Sequence, residues 1–172
     1  MTYTEVGWAN DETHPLSQAN MKTLDAGIVG VAGGEVAYTS RTDGDVTVTG
    51  VGDPPGTLLV SVTPTLSAAR RYLITGFARY WIDGGAGTRW CRQGIEIGGG
   101  ATTIGINTVP VVGQSTATAQ GIYTVRHRYT PSSSGPLEVG LYAFRVVGDA
   151  GLRARGVSGR PIELLVQDIG PA

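Results

Sequence analysis

The sequence holds one cysteine, Cys91, two histidines, His14 and His127, and one lysine, Lys22, among its 13 basic residues. Each scarcity removes a class of function. One cysteine closes no intrachain disulfide and builds no thiolate metal site. No Gly-x-Ser-x-Gly elbow stands before a histidine, so the sequence offers no support for a serine-histidine-acid triad. Charged residues make up only 16% and the net charge is −1. Acids and bases are interspersed along the chain, leaving no linear basic field for a nucleic-acid backbone or an anionic bilayer. No stretch approaches the roughly 20 apolar residues that span a membrane. The opening Met1-Thr2-Tyr3-Thr4-Glu5 has no basic n-region and no apolar h-region, which is the pattern of a chain made in the cytoplasm and not inserted in a membrane. The expectation is a protein without catalytic residues, metal or cofactor.

What is abundant is glycine, 27 residues in 172, spread with nine prolines and no period. That excludes collagen and repeat arrays and fits frequent turns. The length accommodates one domain and an arm. Residues 35–40, 45–49, 57–63, 90–97, 120–130, 137–147 and 161–169 read as strands, with short apolar stretches at 102–107 and 108–112 broken by Pro110. Thr42-Asp43-Gly44 is expected to turn a hairpin, because Asp-Gly tolerates the positive φ of a type I′ turn. Within 57–63, Leu58, Val60 and Val62 are expected to face the core. Arg70–Ile82 is the longest strand and is expected to pair with 90–97 through the Gly-rich turn 83–87. Eight to ten such strands without intervening helices predict an all-β fold, an antiparallel β-sandwich or jelly roll, over residues 34–172.

Residues 1–33 differ. Ser17 can cap a helix, Leu16, Met21, Leu24 and Ile28 fall near one face, and Gly27 supplies a stop. A helix this short does not hold alone in water, so its apolar stripe must dock. The series Trp8, Pro15-Leu16-Ser17, Asn20-Met21, Leu24-Asp25, Gly27-Ile28 resembles a short N-terminal module of tailed-bacteriophage virion proteins, found in tail fibres, baseplate and minor tail proteins. His14 departs from the module's usual Thr, Met21 from Leu, and Asp25 from Glu. The resemblance implies a structural virion protein whose arm attaches through Trp8, Pro15, Leu16, Asn20, Met21, Leu24 and Ile28. It also implies a homotrimeric appendage whose partners are itself and other tail or capsid proteins. A capsid decoration protein and a receptor-recognition tip that binds host glycan are the alternatives.

Two further sets of residues stand out in the body. Arg70–Ile82 carries apolar bulk on both faces, and a free surface would show a cleaner polar side. Leu73, Phe77 and Trp81 on one strand, or Tyr123, Val125, His127 and Tyr129 on another, are therefore candidates for a subunit interface around a symmetry axis. Tyr80, Trp81 and Trp90 flank one turn and are candidates for glycan contact, since sugars stack on flat aromatic faces. Asp43 and Asp45 lack the other ligands of a calcium loop. Gly98-Gly99-Gly100 lacks the Lys-Ser/Thr of a phosphate cradle.

Overall fold

The computed structural model describes residues 34–50, 56–82, 87–113, 121–147 and 151–172. The arm, its helix, its attachment residues and most of the junction at 30–34 lie outside the described residues. The body is all-β, with strands β1 (Glu35–Asp43), β2 (Val46–Thr47), β3 (Thr57–Val62), β4 (Thr65–Leu66), β5 (Arg70–Ile82), β6 (Gly87–Ile97), β7 (Thr102–Gly113), β8 (Gly121–Tyr129), β9 (Gly135–Pro136), β10 (Val139–Val147), β11 (Leu152–Arg155) and β12 (Val157–Pro171). All pairings among them are antiparallel.

The first sheet runs β1-β12-β5 and continues to β8 on the other side of β5, while β11 and β2 extend it beside the C-terminal end of β5. The second sheet runs β3-β10-β6-β7, and β4 and β9 form a small clasp. The two sheets face each other as a sandwich. Along β5 the residues Tyr72, Ile74, Ala78, Tyr80 and Ile82 are buried, and they meet Leu141, Ala143, Ile95 and Cys91 of the second sheet in one core. Strict alternation drives this, because successive side chains of a strand point to opposite faces. Each fully buried Leu or Ile contributes roughly 1.5–3 kcal/mol of transfer free energy. Gly76 sits at the closest approach: a Cβ there would collide with Leu141 Cδ1, and the Gly76 carbonyl accepts a bond from Gln93 Nε2 of the facing sheet at 3.2 Å.

Three local expectations are corrected. Thr42-Asp43-Gly44 makes no hairpin: with Gly44 at φ 141° the chain runs on in the same direction, β1 pairing with β12 and β2 with β11. Gly44 N is instead held by the Gly156 carbonyl at 2.8 Å. β5 and β6 do not pair either, since the chain crosses from one sheet to the other between them. β6 takes β7 as its partner, and Gly98, Gly99 and Gly100, all with positive φ, form the turn between the two. In β3 the alternation breaks at a bulge: Val60 opposes Leu141 and Leu58 opposes Tyr142, so Leu59 is the extra residue. The bulge turns Leu59 into the core at 1% exposure and leaves Leu58 at 41%. Pro110 lies on β7, the edge of the second sheet, the kind of strand on which proline is tolerated.

Candidate functional site

The registers fix which side chains share a face. Leu73 opposes Arg128 and Gln167, Thr75 opposes Arg126 and Leu165, and Phe77 opposes Thr124 and Glu163. On the next rungs Arg79 opposes Arg155, and Trp81 opposes Arg153. All of these point away from the core, since their neighbours Ile74, Ala78, Tyr80, Leu152, Ala154, Leu164 and Val166 point into it. The outer face of the first sheet is thus a field of arginines around an apolar row. Arg126 and Arg128 are exposed and have no ion-pair partner among the described residues.

The apolar row is half-covered by its own sheet. The Arg79 guanidinium lies 6.0 Å from the Phe77 ring centre, and those of Arg153 and Arg155 lie 5.5 and 5.8 Å from the Trp81 ring. Trp81 Nε1 donates to Asp45 Oδ2 at 2.9 Å, and Asp45 Oδ1 stands 3.8 Å from Arg155 Nε. Cation–π pairs of this kind contribute about 0.5–1 kcal/mol at exposed sites. Asp45 is therefore a bridge between the indole and an arginine. Sequence reasoning missed this arginine field. The signal was present as Arg126-x-Arg128 and Arg153-x-Arg155, each arginine alternating with a residue bound inward, but nothing in sequence showed that the two pairs share a face with Arg79.

The second candidate face lies the other way. Tyr123, Val125, His127 and Tyr129 oppose Ala78, Gly76, Ile74 and Tyr72 and so share the inner face of β5. Val125 is 3% exposed, Tyr123 and Tyr129 pack on the core, and the His127 ring lies against Gly105 of β7. This face lies against the second sheet within one chain. The strand reads as strictly alternating, and only the sandwich decides which half of the alternation is inside.

The three aromatics proposed for glycan are not brought together. Tyr80 is 0% exposed and belongs to the core, so it contacts no outside ligand. Trp81 lies on the outer face of the first sheet. Trp90, 45% exposed, lies on β6 of the other sheet, on the face opposite Cys91 and Ile95. At 131–136 the chain is an exposed bend whose last two residues form β9 against β4, with Ser134 Oγ accepting from Ala68 N at 3.0 Å.

Polar groups are buried on both sides of the second sheet. Between the sheets, burial pushes the Cys91 thiol up to about 12 and raises the Tyr80 hydroxyl well above its ordinary 10.0, with Tyr80 and Cys91 beside each other. A thiol held protonated in this way is a packing group and not a nucleophile. On the outer side, Glu96 is 0% exposed. Its Oε1 accepts from Thr103 Oγ1 at 3.4 Å, its Oε2 has no partner, and burial raises its pKa. Among the described residues no group of three or more His, Cys, Asp or Glu could hold a metal ion.

No known family model matches the chain, and no curated protein matches it. Among solved structures it is similar to the xylan-binding domain CBM22-1 of Paenibacillus barcinonensis Xyn10C. That pair has 15% identity and a TM-score of 0.33, over 83% of this chain and 92% of that one. The infectious bursal disease virus Gx strain structure gives 15% and 0.28, over 83% of this chain and 37% of that one. The VP2 subviral particle of the same virus gives 13% and 0.28, over 78% and 38%. The chain thus spans under two fifths of each viral protein. At these scores the likenesses carry no argument about binding or assembly.

Proposed function

We propose that this chain is a structural protein of a tailed-phage virion, an appendage whose residues 1–33 attach it and whose β-sandwich faces outward. The observation that carries the reading is the strand order. The eight long strands fall into two sheets as β1-β12-β5-β8 and β3-β10-β6-β7, and this order is that of a jelly roll, an architecture used by capsid and lectin domains. The N-terminal resemblance supports the same reading.

The arginine field bears on how copies would meet. A threefold axis through Leu73, Phe77 and Trp81 would gather three copies of Arg79, Arg126 and Arg128, and like charges opposed at an interface repel. The proposal therefore assigns self-association to the arm and leaves this face to another partner. Electron microscopy of intact particles with the chain labelled tests the reading, and separates a tail from a capsid position. Leu24→Asp is expected to abolish incorporation while leaving the β circular dichroism of the body intact, because a carboxylate on a docked apolar stripe costs a few kcal/mol. Particles that contain the variant at the normal level, or that never contain the chain, would overturn the proposal.

A further inference from the structure

We infer that the outer face of the β1-β12-β5-β8 sheet binds an acidic polysaccharide, one that carries carboxylate or sulfate groups along its length. The inference goes beyond the virion reading and rests on this face alone. Arg126 and Arg128 stand two residues apart on β8, roughly 6.6 Å along the strand. Arg79, Arg155 and Arg153 continue the array over β5 and β11. The array spans three strands at about 4.8 Å each, so one small anion cannot satisfy it, whereas a polymer with regularly spaced charges can. Guanidinium groups take carboxylate and sulfate oxygens in bidentate pairs. Asp45 and Glu163 are the carboxylates beside these arginines, with Glu35 at the far edge opposite Gln167. The arginines outnumber them in a protein whose overall charge is −1.

The same face argues against the other polyanions. Single-stranded nucleic acid binds by stacking bases on bare aromatic rings, but here Trp81 and Phe77 are already flanked by guanidiniums and the indole N–H is committed to Asp45. A DNA backbone presents acceptors only, and Glu163 within the array, held by the Tyr38 hydroxyl at 2.8 Å, needs donors. Sugar hydroxyls supply them. A stable protein partner needs an apolar centre in a patch of about 800 Å² per side, and the arginines already cover the apolar row.

The test is titration of the full chain with heparin, polygalacturonate, neutral dextran and a DNA duplex, at low ionic strength and again at about 0.15 M salt. Heparin or polygalacturonate is expected to bind, more weakly in salt, and dextran not at all. Arg126→Glu with Arg128→Glu is expected to weaken that binding at least about tenfold, while Arg41→Glu, at the opposite edge of the sandwich, leaves it unchanged. Arg126→Gln with Arg128→Gln, which adds no new charge, gives a smaller loss in the same direction and stands in if the glutamate pair does not fold. The inference is overturned if neither acidic polysaccharide binds at low salt, if the Arg126 and Arg128 variants bind as the parent does, if Arg41→Glu costs as much, or if the duplex binds more tightly than both polysaccharides. Absence of the chain from particles would remove the virion reading and leave this result untouched.

Discussion

The two outer faces of the sandwich are built from the same kind of antiparallel strand and end in opposite states. On the first sheet, Leu73, Thr75, Phe77, Arg79 and Trp81 are half-buried, with guanidiniums beside the Phe77 and Trp81 rings. On the second, Tyr142 at 5% and Phe144 at 0% are as sealed as the core, though they point away from it. Backbone makes the difference. A Cβ at Gly56 would fall 2.5 Å from the Phe144 ring and one at Gly94 would fall 3.2 Å from it, while at Gly100 it would come within 3.2 Å of the Tyr142 hydroxyl and 3.1 Å of Glu96 Oε2. Glycines let main chain close over the aromatics on one side. On the other side long cationic side chains do the covering.

The comparison is broken most severely by Phe144→Ala. The lost ring is expected to cost about 3–5 kcal/mol, as in a true core, while Leu73→Ala on the opposite outer face costs well under half as much. Urea unfolding of both variants measures it, and equal costs would mean that the two faces are alike. Gly56→Ala sharpens the reason: it should destabilise by about 1–3 kcal/mol through overpacking on the ring, and a neutral result would show that the ring can step aside.

Glu96 supplies a pH test on the sealed face. Its folded-state pKa is raised above the ordinary 4.5 by burial. Below that pH the carboxyl is protonated in both folded and unfolded chains and costs no charge burial. As pH rises through 4.5 the unfolded chain ionises first, so stability is lost until the folded group has ionised as well. Glu96→Gln is expected to flatten this fall above pH 4.5, seen as melting temperature against pH. An unchanged slope would exclude Glu96 as its origin.

The smallest effect is at the surface. Arg70 Nε and Asp168 Oδ2 lie 2.7 Å apart, and the Arg70 hydrogen bond holds the Asp168 carboxyl below its ordinary 3.8, with Gly170 N donating to Oδ1. The stabilisation is present above that value and lost as pH falls through the lowered one. Arg70→Ala should lower the urea midpoint least of these variants, because ion pairs near the surface contribute little.

Strand positions and the inward rows of β10 and β12 were legible because period-2 alternation is a local property: Ile162, Leu164 and Val166 declare their face without reference to any neighbour. Leu58 was misplaced because a bulge shifts the period by one, and nothing in Leu58-Leu59-Val60 marks where the extra residue falls. Tyr123, Val125, His127 and Tyr129 were identified as one face but assigned to the wrong side, since both faces of β8 carry large side chains. Trp81 and Trp90 were read as neighbours across a turn because proximity in sequence was taken for pairing, while the chain in fact changes sheets there.

By itself, then, the sequence determined an all-β body of short antiparallel strands, because turn residues and alternation act within a few positions. Tertiary structure alone decided the register, and with it every property that belongs to a face: that Tyr80 is core, that Phe144 is sealed from outside, and that arginines from β5, β8 and β11 form one field. The physical reason is that a strand's partners are chosen by side chains far away along the chain, through hydrogen bonds and packing that no local pattern encodes.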